Sequence, residues 1–157
     1  MLVGIAADHG GFELKKQLIE NLKSAHYEIR DFGAYDLEPD DDYPDFVVPL
    51  AAAIASGDVD RGIAVCGSGV GACIAANKIR GVRASLIHES YSAQQGVEDD
   101  NMNMICLGGK VIGSVFAWHL VQTFLKANYK DEPRFQRRLA KVAEEESKNA
   151  QTGSLRW

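Results

Sequence analysis

Cysteine is scarce in this chain. Three cysteines in 157 residues make no disulfide framework. None stands in a Cys-x-x-Cys pair or at a zinc-binding spacing. Surplus positive charge is missing too: 17 basic residues face 22 acidic ones, the net charge is −5 and the pI is about 5.3. That balance argues against a nucleic-acid surface as the main role, although a few local cations suffice to bind an anionic metabolite. The uncharged stretch from Phe46 to Gly57 holds Pro49 and is too short to cross a bilayer. The opening residues, Met1 to Asp8, carry no basic leader and read as a strand, so a soluble cytoplasmic protein is expected. Internal repeats and low-complexity linkers are absent from the sequence. One domain over residues 1–149 is expected, followed by a polar tail over 150–157. What the chain does have is a hydrophobic fraction of 46%, enough for a core and too much for a disordered chain.

Short apolar runs alternate with amphipathic stretches. Strands are expected at 2–7, 27–32, 61–66, 82–87 and 103–107. Helices are expected at about 11–25, 45–56, 69–78, 91–98, 112–126 and 133–147. Val115, Leu120 and Phe124 are core candidates of the fifth helix, and Phe135, Leu139 and Val142 form one stripe of the last. Pro44 suits a first helical position, and Pro49 is tolerable if it falls in the first turn. The alternation implies an α/β fold, a five-stranded parallel sheet with helices on both faces. Spacing alone does not give the strand order.

The chain is organised around Cys66-Gly67-Ser68-Gly69-Val70-Gly71, a strand-to-helix turn. In open α/β sheets this is where ligands bind. Glycines let a ligand approach the backbone, and the helix start offers free N–H groups to an anion. A thiol beside that positive pole is a usable base or nucleophile. Taken alone, Cys66 reads equally well as a small packed apolar residue. The glycine spacing fits a dinucleotide fingerprint poorly, since the third glycine is at the wrong offset. Asp8-His9 and Gly108-Gly109-Lys110 also stand just past strand ends. In a parallel sheet all of these share one rim, a stronger signal than any one alone. Asp8 also fits a helix cap, and His9 an exposed turn. Arg134 and Arg138, four apart, share a helix face. They suit either a phosphate grip or a solvated face on which Arg137, Arg138 and Lys141 pair with Glu144, Glu145 or nearby acids.

In combination the residues resemble a known family. Asp8-His9-Gly10-Gly11-Phe12, Asp42-Tyr43-Pro44-Asp45, Cys66 to Gly71, Ala75-Ala76-Asn77-Lys78 and Gly108 to Gly113 occur in order and near the spacing of ribose-5-phosphate isomerase type B. That family also holds galactose- and allose-6-phosphate isomerases, and the resemblance covers residues 2–146. It implies a Rossmann-like α/β/α domain that forms homodimers or homotetramers through its C-terminal helix, with sites at the subunit interface. It implies aldose–ketose conversion of a sugar phosphate with no metal and no organic cofactor. Carried over by position, Cys66 is the base, Ser68 a proton shuttle, and the amides of Gly67, Gly69 and Gly71 stabilise the enediolate. Asp8 holds sugar hydroxyls and Tyr43 flanks the sugar. His9, Lys110, Arg134 and Arg138 bind phosphate, the arginines coming from a partner subunit.

The chain departs from the family at Glu98-Asp99-Asp100-Asn101-Met102-Asn103. Asp99 stands where the resemblance expects a ring-opening histidine, and Asp100 where it expects an asparagine. A carboxylate is the weaker base unless burial or a like charge raises its pKa. His88 is an alternative. A tetrose 4-phosphate cannot close a furanose ring, because O4 carries its phosphate, and would lose nothing from this change. The leading expectation is interconversion of ribose 5-phosphate and ribulose 5-phosphate. The alternatives are a tetrose 4-phosphate or hexose 6-phosphate isomerase, and a non-catalytic sugar-phosphate-binding module.

Overall fold

The three most apolar strands lie side by side in the middle of one sheet. They are β1 (Leu2–Ala7), β3 (Arg61–Cys66) and β5 (Met104–Gly108). With helices on both faces, such strands have no polar face to give to water. The shorter β2 (Glu28–Asp31) and β4 (Ala84–Leu86) take the edges, giving the order β2-β1-β3-β5-β4. Every neighbouring pair is parallel. The computed structural model describes the backbone of residues 1–152 and the side chains of residues 1–148.

Six helices complete the described chain: α1 (Phe12–Ser24), α2 (Tyr43–Ser56), α3 (Val70–Ala76), α4 (Ser90–Asp100), α5 (Ser114–Lys126) and α6 (Pro133–Thr152). Because side chains alternate along a strand, the sheet has two different faces. Val3, Ile5, Ile63, Val65, Ile105 and Leu107 pack under α1, α4 and α5. The smaller Ala6, Ala64, Cys66 and Cys106 pack with Met104 under α2 and α3. The result is a Rossmann-like three-layer sandwich. α6 takes in the first residues of the expected tail, and the rest of that tail lies outside the described residues.

Several local expectations change. α2 starts at Tyr43, so Pro44 is in its first turn but Pro49 lies deeper inside. The interruption costs about 3 kcal/mol. Burial of Val47, Leu50 and Ile54, at about 1.5–3 kcal/mol each, outweighs it. Pro49 itself is exposed, so the missing hydrogen bond faces water. Val115 is not core: it is 86% exposed, outside the stripe of Ala117, Leu120, Val121 and Phe124. Among the described side chains of α6 only Phe135 is buried, and Val142 is 60% exposed. α4 runs on to Asp100, which places Asp99 and Asp100 in its last turn.

Candidate active site

Parallel strands deliver their carboxyl ends to one rim, and backbone contacts lock the turns there together. Gly109 N–H donates to the Cys66 carbonyl at 2.8 Å, and Lys110 N–H to the Gly67 carbonyl at 3.0 Å. A Cβ on Gly10 would stand 2.8 Å from the Gly67 nitrogen, and one on Gly109 2.6 Å from the Gly10 oxygen. Only glycine fits such close approach. The turns after β1, β3 and β5 therefore meet, as their positions in the sequence predict. Tyr43 joins them from the start of α2, with its ring 2.7 Å from where a Gly71 Cβ would lie. Lys110 runs along Gly67, with its Cδ 3.8 Å from that glycine's Cβ position.

Cys66 is 4% exposed and belongs to the apolar layer under α2 and α3, yet its sulfur also takes part in the turn. The Gly69 N–H donates to Cys66 Sγ at 3.1 Å. Gly69 can do this because it sits at φ 82°, a left-handed conformation that suits glycine. Cys66 is thus packed in the apolar layer and hydrogen-bonded within the turn at the same time. One expected oxyanion donor, the Gly69 amide, is engaged by the sulfur. Ser68 is exposed, and its Oγ accepts from Val70 N–H at 3.3 Å. Of the other cysteines, Cys106 is buried in the core and Cys73 is only half buried. A hydrogen bond with Cys106 pulls the Cys73 thiol down to about 7.

Asp8 is buried, and its Oδ1 accepts from Gly11 N–H at 3.1 Å. Burial raises its carboxyl above the ordinary value, against the Gly11 amide and His9. It braces the turn rather than capping the first amides of α1, which have no side-chain cap. His9 finds a partner that the sequence pattern missed. Asp41 Oδ1 lies 2.7 Å from His9 Nδ1 and accepts from His9 N–H at 2.9 Å. This bond raises the imidazole pKa above its ordinary value. Asp8, His9 and Asp41 bring ligand-type atoms within 4.8 Å of one another. Nδ1 is already committed to Asp41, so the group reads as an ion-paired turn. No periodicity marks Asp41 out within the acidic 33–43 loop.

The remaining expected site residues are elsewhere. Helices that follow parallel strands end at the opposite, amino edge of the sheet. There Arg83, just before β4, donates to the Asn101 carbonyl at 2.6 Å and to Asn103 Oδ1 at 2.7 Å. Asp99 and Asp100 belong to this edge. Asp99 Oδ2 accepts from Gln95 at 3.0 Å and lines a cleft with Tyr91, Glu98 and Lys130. Lys130 pairs with Glu98 at 2.7 Å and leads into α6. Arg134 and Arg138 stand over the Phe135 ring at 4.7 and 6.0 Å, so they do share a face. Among the described residues neither makes an ion pair, and Glu144 and Glu145 pair with Lys148 instead. His88, two residues past Leu86, stands on the rim, and Leu86 packs close to Gly69.

A parallel α/β sheet with glycine turns, a thiol and cations on its carboxyl rim defines the class: an enzyme acting on a small anionic metabolite. The ribose/galactose isomerase family matches residues 3–142. The ribose-5-phosphate isomerase B structure of Clostridium thermocellum aligns with a TM-score of 0.91 at 42% identity, covering 95% of this chain and 99% of that one. The Mycoplasma genitalium ribose-5-phosphate isomerase B structure, with bound ribulose-5-phosphate, gives 0.87 at 38% identity, covering 93% and 96%. A D-erythrulose-4-phosphate isomerase of Pectobacterium atrosepticum is 35% identical over 127 residues, covering 81% of this chain and 84% of the relative. The chain belongs to the ribose/galactose isomerase family of enzymes. Among the described residues, no helix is long and apolar enough to cross a membrane.

Proposed function

We propose that the chain interconverts ribose 5-phosphate and ribulose 5-phosphate through a cis-enediol(ate), with Cys66 as the base. The observation that carries this reading is the sulfur held at a strand end by the Gly69 amide, on the rim where the turns of Asp8 and Lys110 meet. That N–H fixes the sulfur at the mouth of the turn. The thiolate takes the C2 proton of the open aldose while O1 gains a proton, leaving a C1=C2 enediol. The same proton returns to C1 as O2 loses its own, and the ketose forms. Ser68 is exposed where a proton must pass between O1 and O2. Because Gly69 serves the sulfur, the Gly67 and Gly71 amides are the donors left for the developing oxyanion; one such donor is worth about 10²- to 10³-fold. Asp8 holds sugar hydroxyls, Tyr43 flanks the sugar, and His9 and Lys110 face the phosphate.

A second copy of the chain supplies Asp99, Asp100, Arg134 and Arg138. Within one chain they stand on the edge opposite Cys66. The rim also exposes apolar side chains suited to burial between copies: Val70 at 46%, Val111 at 55% and Val115 at 86%. Cys66→Ala tests the base assignment. Isomerisation is expected to fall by about 10²-fold or more; wild-type turnover would show the assignment to be wrong.

A second reading changes the sugar. Asp99 replaces the histidine that ring opening calls for, and one relative is named for D-erythrulose-4-phosphate. A tetrose 4-phosphate needs no ring opening. Comparing turnover of ribose 5-phosphate with that of erythrose 4-phosphate separates the two. Fast ribose 5-phosphate conversion that survives Asp99→Asn rules the tetrose argument out.

A further inference from the structure

Asp41 touches no atom for which the reaction has a role, yet it is bound to one residue that does. Its side chain is only 10% exposed, while that of His9 is 37% exposed. Asp41 Oδ1 takes both the backbone N–H and the ring Nδ1 of His9, at 2.9 and 2.7 Å. Asp41 Oδ2 is buried and has no hydrogen-bond partner among the described residues. A buried carboxylate with one bare oxygen is costly unless a full positive charge stands against it. A neutral imidazole would not supply that charge; an imidazolium does. The double contact fixes both the backbone and the ring of His9. With Nδ1 committed, Nε2–H is the ring's remaining donor.

We propose that Asp41 is a positioning residue for phosphate: it holds His9 as a cation in one ring orientation, with Nε2–H presented to a phosphate monoester. The proposal rests on the reading of His9 as part of the phosphate site and extends it to a residue outside that site. Two carboxylates act on the imidazole, Asp8 from its own turn and Asp41 from the loop before α2. Lys110, on the turn after β5, lies along Gly67. Both carboxylates favour the charged ring, and Asp41 does so through a direct bond. A phosphate monoester changes from mono- to dianion near pH 6. A histidine with an ordinary pKa loses its charge as the dianion forms, and Asp41 prevents that mismatch.

The test uses the full-length protein and inorganic phosphate as the probe. The His9 ring is titrated by NMR, and phosphate affinity is measured between about pH 6 and 8.5. Three variants are compared with wild type: Asp41→Asn, Asp41→Glu and His9→Gln. In Asp41→Asn, His9 is expected to titrate at lower pH, and phosphate affinity near pH 7.5 to fall roughly five- to tenfold. At pH 6 the affinity loss should be small. In turnover the defect should appear in KM more than in kcat, and Asp41→Glu should recover part of it. An unchanged His9 titration in Asp41→Asn, or an affinity loss of equal size at every pH, overturns the proposal alone. If His9→Gln leaves phosphate affinity intact, the phosphate role of His9 fails, and this proposal fails with it.

Discussion

The two edges of the sheet are built in opposite ways. The carboxyl rim is made of backbone: glycine turns lock to one another through main-chain hydrogen bonds, and Asp8 and Cys66 are buried within them. The amino edge is made of side chains: Asp100, Arg134 and Arg138 stand exposed on helix ends. A rim of this kind is preorganised and needs no partner to hold its shape. Among the described residues Arg134 and Arg138 make no ion pair, whereas Lys130 on the same edge is paired with Glu98. On the proposed reading, one chain carries both halves of a sugar-phosphate site on opposite edges of its sheet.

That contrast can be broken from the rim side first. Cys66→Ala is expected to have the largest effect, a loss of about 10²-fold or more in turnover with little change in thermal stability. Activity that persists would move the chemistry away from the sulfur. At the amino edge, Arg134→Ala should act on binding: KM for the sugar phosphate rises about tenfold or more, with a smaller change in kcat. Steady-state kinetics on both variants should therefore show kcat failing at one edge and KM at the other.

Two further measurements probe the frame and the charge. Lys15 is 2% exposed and donates to Asp31 at 2.8 Å and to the Ala34 carbonyl at 2.6 Å. It ties α1 to the edge strand β2 and the loop beyond it. Lys15→Ala removes the donor to Asp31 Oδ2 and to the Ala34 carbonyl, leaving Asp31 Oδ1 with Gly33 N–H, and should cost about 2–3 kcal/mol, seen as a lower unfolding midpoint in denaturant. The smallest effect concerns pH. The folded pKa of His9 is raised above 6.5, chiefly by Asp41. Its contribution to stability is complete below pH 6.5 and is lost as pH rises through the higher folded value. The stability–pH curve of Asp41→Asn should be flatter across that window.

Much of the rim was legible in the sequence, because glycine turns after apolar strands leave a local signature. Residues 66–71 and 108–110 meet where the pattern placed them. The strand order was not legible, since it depends on which crossover packs best and not on any one segment. Pro49 misled because a rule about proline was outweighed by the apolar face of α2. Val115 misled because a stripe of helical residues does not say where the cover ends. Asp41 was hidden among similar aspartates, and only the folded loop brings it over His9. The two-edge arrangement follows from strand–helix alternation, yet the motif order set the residues in one line and concealed their separation.

In the proposed function a working site joins the rim of one copy to the amino edge of another. Mixing Cys66→Ala chains with Arg134→Ala chains, after subunit exchange, tests it directly. At substrate concentrations well below KM the mixture is expected to regain activity above either impaired parent, because some hybrids hold one site with both Cys66 and Arg134 intact. A mixture no more active than its parents, with exchange verified, would contradict the claim.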